Sequence, residues 1–133
     1  MPIDPREPYD DNNIFARILR GELPCNKVYE DEFALAFHDI RPQAPVHVLV
    51  IPKGEYISQA DFCAQAPAEL LTGFWRAVAK VAQDLGLEAE SYRITANHGP
   101  HGGQLVLQFH VHISGGRQMS HRMGNASRGG AQE

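Results

Sequence analysis

The chain has 133 residues, 43% of them hydrophobic and 21% charged, with a formal net charge of −4. That length suits one domain with a buried core, and the acidic balance leaves no basic footprint for nucleic acid. No run approaches the roughly 18 apolar residues of a membrane span, and no apolar signal core follows Met1, so no membrane partner and a cytoplasmic location are expected.

Prolines at positions 2, 5 and 8 mark residues 1–12 as a flexible N-terminal arm. Asp10, Asp11, Asn12 and Asn13 then offer helix N-caps. Ile14, Phe15, Ile18 and Leu19 follow at helical spacing, with Gly21 placed to stop a short helix. Pro24 breaks the chain. Residues 27–30 and 33–38 read as two strands of a hairpin, turning at Glu30, Asp31 and Glu32. Pro42 and Pro45 stiffen the loop that follows.

Residues 47–51 are almost continuously apolar, as in a central strand covered on both faces, and Pro52 ends the run. His47 lies inside it and by default is a core histidine. A long helix is expected between about residues 67 and 85, where Leu70, Leu71, Phe74, Val78, Val81 and Leu85 form the apolar stripe and Gly86 stops the turn. Leu71 and Trp75 widen that stripe, which hints at a second surface to cover. Residues 92–97 read as a fourth strand. The sum is an α+β fold of five strands and two helices, joined by antiparallel hairpins.

The last strand is the one with chemistry. Leu105, Leu107, Phe109, Val111 and Ile113 alternate with Val106, Gln108, His110, His112 and Ser114, and pairs of glycines bracket the run. Alternation of this kind predicts a strand with one apolar and one polar face. It would place His110 and His112 side by side, roughly 7 Å apart along the strand. An imidazole can attack phosphorus if its other nitrogen donates a hydrogen bond, and glycine-rich turns can present N–H groups to an anion. Two other readings stay open. The histidines could line a polar sheet face, or join His47, His98 and His101 around zinc. No carboxylate or thiolate accompanies them in the strand, so no metal is expected. His98 and His101 read as solvated loop residues, and His38 and His121 as surface residues. Cys25 and Cys63 form no CxxC motif, and reduced thiols are expected. Beyond residue 119 no apolar period survives, so residues 120–133 read as a flexible tail.

Phe37-His38-Asp39-Ile40, Pro42-Gln43-Ala44-Pro45, His47 and Leu49-Val50-Ile51-Pro52-Lys53, with Asn97, Gly102-Gly103-Gln104 and Phe109-His110-Val111-His112 further on, closely resemble the histidine triad (HIT) superfamily. The nearer branch resembles the purine nucleoside phosphoramidate hydrolases, or histidine triad nucleotide-binding proteins. The likeness covers residues 13–119, which it implies are a single HIT-like domain. It implies a five-stranded antiparallel sheet with one long and one short helix, dimerising into a ten-stranded sheet. It also implies hydrolysis of nucleoside 5′-phosphoramidates or related conjugates through a covalent nucleotidyl-histidine, without a cofactor. The ligand would be a purine nucleotide such as AMP or GMP.

By this resemblance His110 is the nucleophile, His112 contacts the phosphate and His47 supports both. Asp39 would hold the ribose hydroxyls. Ile14, Phe15, Ile18, Phe37, His38 and Ile40 would line the purine slot. Asn97, Gly103, Gln104 and Val106 would lie beside the phosphate and leaving group. Two positions depart from the family pattern: Gln108 stands where the first triad histidine is usual, and Leu105 where a serine is common. Both fall within the implied nucleotide site. A slow enzyme is therefore expected, with Leu105 the chief cause. A dinucleoside polyphosphate hydrolase and a nucleotide-binding scaffold with little turnover are the alternatives.

Overall fold

The computed structural model describes residues 8–120. The first seven residues of the expected arm, and the expected tail except Ser120 but including His121, lie outside that range. Nine elements follow in order: α1 (Ile14–Leu19), β1 (Lys27–Glu30), β2 (Ala34–His38), β3 (Val46–Pro52), α2 (Gln59–Gln65), α3 (Ala68–Asp84), α4 (Leu87–Glu90), β4 (Tyr92–Thr95) and β5 (Val111–Gly115). The strands form one antiparallel sheet in the order β1-β2-β3-β5-β4. The five-stranded α+β architecture agrees with the reading of the sequence.

β3 is the central strand because both of its faces find apolar cover. Val48 and Val50 pack with Ala34, Ala36, Val111 and Ile113 beneath Phe74, Val78 and Val81 of α3. Leu49 and Ile51 point the other way and pack with Leu35 and Phe37 against Phe15 of α1. Period-two alternation in a doubly covered strand thus builds two cores from one segment. The first core is sealed by α3. The second is smaller, and it shares its face of the sheet with the histidines.

Three expectations need correction. Among the described residues there are four helices where the sequence suggested two. α2 was missed because it is only seven residues long and buries a single side chain, Phe62. That ring stacks on Phe109 at 4.9 Å and meets Phe74 edge-on at 5.3 Å. The fourth strand is shorter than expected and ends at Thr95, leaving Asn97 in coil.

The third correction concerns the alternating run. Only its second half is a strand, because β5 begins at Val111. Continuing the β3–β5 register would set Phe109 against Pro52, which has no N–H to give. Backbone groups within residues 105–110 instead bond to loops and side chains. The Phe109 N–H donates to the Tyr56 carbonyl at 2.7 Å, and the Gln104 side chain donates to the Val106 carbonyl at 3.1 Å. Leu105, assigned core parity by the alternation, is 44% exposed.

Candidate functional site

The register that builds the second core also assembles the polar site. His112 on β5 pairs across to Leu49 on β3, and Ser114 pairs to His47, so His47 and His112 lie diagonally on the same face. The stiff loop after β2 returns to β3 with the Asp39 N–H donating to the His47 carbonyl at 2.9 Å. Asp39, His47, His110 and His112 are all buried there. The two strand histidines do stand together: the rings of His110 and His112 are centred 5.0 Å apart. The polar face is closed to solvent, with both histidines buried and Phe15 of α1 packed edge-on against His110 at 4.8 Å.

Hydrogen bonds fix the protons on these rings. The Gln43 N–H donates to His47 Nδ1 at 2.9 Å, so the hydrogen of neutral His47 sits on Nε2. That nitrogen lies 2.9 Å from His112 Nδ1, which must then accept, leaving the His112 hydrogen on Nε2. His110 Nδ1 is 2.8 Å from the Gln108 carbonyl, which can only accept, so Nδ1 carries the hydrogen and Nε2 the lone pair. His47 is held neutral. Burial lowers its pKa, and the nearby Asp39 charge offsets this only in part.

Asp39 Oδ1 accepts from the Arg41 N–H at 2.8 Å. Its Oδ2 approaches His47 Nε2 at 3.4 Å and makes no hydrogen bond within the described residues. A buried carboxylate oxygen in that condition calls for an outside donor.

Asp39, His47 and His112 bring donor atoms within 4.8 Å of one another. Their arrangement suits protons better than a cation. His47 Nδ1 is taken by the Gln43 N–H, and the 2.9 Å between His47 and His112 is the length of a hydrogen bond.

The residues assigned to the purine slot divide into two groups. Phe15, Ile18 and Phe37 belong to the second core beside His110, where Val106, assigned to the phosphate end, also packs. Ile14, His38 and Ile40 are exposed and lie outside that cluster. Of the residues assigned to the phosphate end, Asn97 is half-buried, while Gly103 and Leu105 are exposed. Gly103 has φ +82°, a conformation that favours glycine, and a Cβ on Gly102 would lie 2.4 Å from the His98 carbonyl. His98, His101 and His38 are exposed, as expected.

Gln104 and Gln108 are buried and committed to the protein itself. Gln104 accepts from the Gly99 N–H at 3.0 Å and donates to the carbonyls of Ile57 and Val106. Gln108 donates to the Gly54 carbonyl at 3.0 Å and accepts from the Tyr9 hydroxyl and from Asn13 Nδ2. Sequence reasoning gave no role to Tyr9, Gly54 or Gln43, although Gln43 lies in the matched motif. Neither tyrosine in an arm nor a backbone group in a loop carries a pattern that marks it.

The HIT domain family matches residues 20–119, which is most of the chain. This chain belongs to the HIT family. An uncharacterised 13.2 kDa HIT-like protein of Azospirillum brasilense is 53% identical over 111 residues, covering 84% of this chain and 91% of the relative. A HIT family hydrolase from Legionella pneumophila Philadelphia 1 superposes with a TM-score of 0.75 at 41% identity, covering 85% of this chain and all of the other. A histidine triad nucleotide-binding protein from Candida albicans gives a TM-score of 0.69 at 30% identity, covering 77% and 73%. HIT membership accounts for the fold and for the histidines on β3 and β5.

Proposed function

We propose that this HIT protein hydrolyses nucleoside 5′-phosphoramidates or related nucleotide conjugates through a covalent nucleotidyl-His110, as in the purine nucleoside phosphoramidate hydrolase branch. The observation that carries the reading is the proton arrangement of the histidines. With Nδ1–H donated to the Gln108 carbonyl, His110 offers the Nε2 lone pair as nucleophile. His112, fed through Gln43 and His47, has its hydrogen on Nε2 as a donor for a phosphate oxygen.

In the proposed reaction His110 Nε2 bonds to the α-phosphorus while the substrate's phosphorus–nitrogen bond breaks, and the departing amine takes a proton from solvent water. A second water then attacks the same phosphorus, the bond to Nε2 breaks to return His110, and the proton that water loses goes back to solvent as the nucleoside monophosphate is released. Asp39 Oδ2 accepts from the ribose, and Phe15 and Phe37 contact the base. The name of the Legionella hydrolase agrees with hydrolysis, and that of the Candida nucleotide-binding protein with a nucleotide ligand.

The test is intact-protein mass after brief mixing with adenosine 5′-phosphoramidate and an acid-free quench. A covalent adenylyl adduct on wild type that is absent from His110→Ala is the expected result. Turnover by His110→Ala at the wild-type rate would refute the assignment, since removing a nucleophile costs several orders of magnitude. A second reading, a nucleotide-binding protein with negligible turnover, draws on the two departures. Gln108 replaces a triad histidine, and Leu105 is an exposed apolar group in place of a hydroxyl. Tight AMP binding without any adduct would select it.

A further inference from the structure

Resting on the proposed role of His110, we infer that Tyr9 is a positioning residue that holds the nucleophilic imidazole in its working tautomer through Gln108. The carbonyl that fixes the His110 proton belongs to Gln108, outside the sheet, where no strand ladder orients it. The peptide after that carbonyl is tied by the Phe109 N–H to the Tyr56 carbonyl at 2.7 Å. The other restraint is the Gln108 side chain, which is fully buried and clamped at both ends.

Its Nε2 donates to the Gly54 carbonyl at 3.0 Å, on the loop after β3. Its Oε1 accepts from the Tyr9 hydroxyl, with a longer contact of 3.3 Å from Asn13. Tyr9 is therefore the chief donor at that end. The Gly54 carbonyl can only accept, so it takes Nε2 and leaves Oε1 facing the Tyr9 hydroxyl, which must then donate. Burial raises the Tyr9 pKa, which keeps the hydroxyl protonated and able to donate. A glutamine at the first triad position thus becomes a fixed point between the N-terminal segment and the β3–α2 loop. Asn13 is a poorer probe of this clamp, because its side chain also caps α1 through the Ala16 N–H at 2.8 Å.

Tyr9→Phe deletes one hydroxyl and keeps the ring. Histidine nitrogen-15 spectra of the ligand-free protein should show His110 protonated at Nδ1 in wild type and mixed between Nδ1 and Nε2 in Tyr9→Phe. Single-turnover adenylylation should slow by roughly three- to tenfold, the scale of one net hydrogen bond, with AMP affinity unchanged. In a Gln108→Leu background the tyrosine substitution should have no further effect on rate, because the two act in series.

An unchanged His110 spectrum in Tyr9→Phe overturns the inference whatever the rates. So does an unchanged adenylylation rate, a parallel loss of AMP affinity, or full additivity with Gln108→Leu. If wild type forms no adduct but the His110 spectrum shifts in Tyr9→Phe, the catalytic reading fails while the clamp on His110 stands.

Discussion

At the scale of single residues, Asp39 and His47 make opposite use of burial. Asp39 keeps one oxygen turned toward His47 and without a hydrogen bond among the described residues. If it accepts from the ribose, AMP should bind about tenfold or more tighter than its 2′-deoxy form, because bonds to a charged acceptor are worth roughly 1.5–3 kcal/mol. Calorimetry with both nucleotides checks this, and Asp39→Asn should narrow the ratio. Equal affinities in wild type would remove the ribose role. For His47 the consequence is a pH dependence of stability. Its pKa when unfolded is near 6.5, and burial depresses it in the folded protein. The unfolded chain therefore binds more protons between those two values, and stability rises with pH there. The full contribution is present above about pH 6.5 and is lost as pH falls toward the folded value. Denaturant midpoints from about pH 7.5 down to about pH 5 should decline more steeply in wild type than in His47→Gln. Parallel curves would show that His47 is not the group responsible.

Among the elements, α3 was legible in the sequence because its apolar period reflects burial on one face over enough residues to be distinctive, and the β1–β2 hairpin because an acidic turn separates two short runs. β3 was legible as a doubly covered strand because its run is almost continuously apolar. The run from Leu105 to Ile113 misled because alternation records which side a residue buries, whereas a strand also needs a partner for its backbone. Pro52 withholds that partner at the continuation of the register. Within the site, the histidines and Asp39 could be named from motif residues, but not the Gln43 and Tyr9 donors or the Gly54 acceptor, which depend on where loops return. The irregular stretch changes what can be asked of Leu105. A side chain 44% exposed gives up little packing when shortened, so Leu105→Ser should leave the melting temperature nearly unchanged. If a hydroxyl there stabilises the leaving group, the maximal rate on phosphoramidates should rise, by up to about tenfold for an ordinary hydrogen bond and more for one to developing charge. AMP affinity should hardly move. Gln108→His, in contrast, exchanges a side chain bonded at both ends and should not accelerate the reaction. A much faster Gln108→His beside an unimproved Leu105→Ser would place the handicap at the other residue.

For the whole molecule, the sheet ends in an edge that needs explaining. Among the described residues β4 pairs with β5 alone and forms an edge of the sheet, where another strand could add. Ile94 pairs with Ile113, which faces the core under α3, yet Ile94 is 43% exposed because the helix layer does not cover this edge. Trp75, on α3, is 41% exposed, although its neighbour Phe74 is fully buried. An edge strand and two large exposed apolar side chains fit the homodimer that the resemblance implies, and we propose that β4 meets its copy across a two-fold axis to continue the sheet. Sedimentation equilibrium should then give twice the chain mass of 14.7 kDa. Trp75→Arg should weaken association by roughly 30-fold or more if the indole is a central contact, since such residues commonly cost about 2 kcal/mol or more when removed. Ile94→Lys should also weaken it, because a charge on an edge strand opposes pairing. The monomer should stay folded in both variants, as neither side chain is part of the buried core. A wild-type monomer at all accessible concentrations would end the dimer proposal, and a dimer indifferent to both substitutions would move its interface away from β4 and α3.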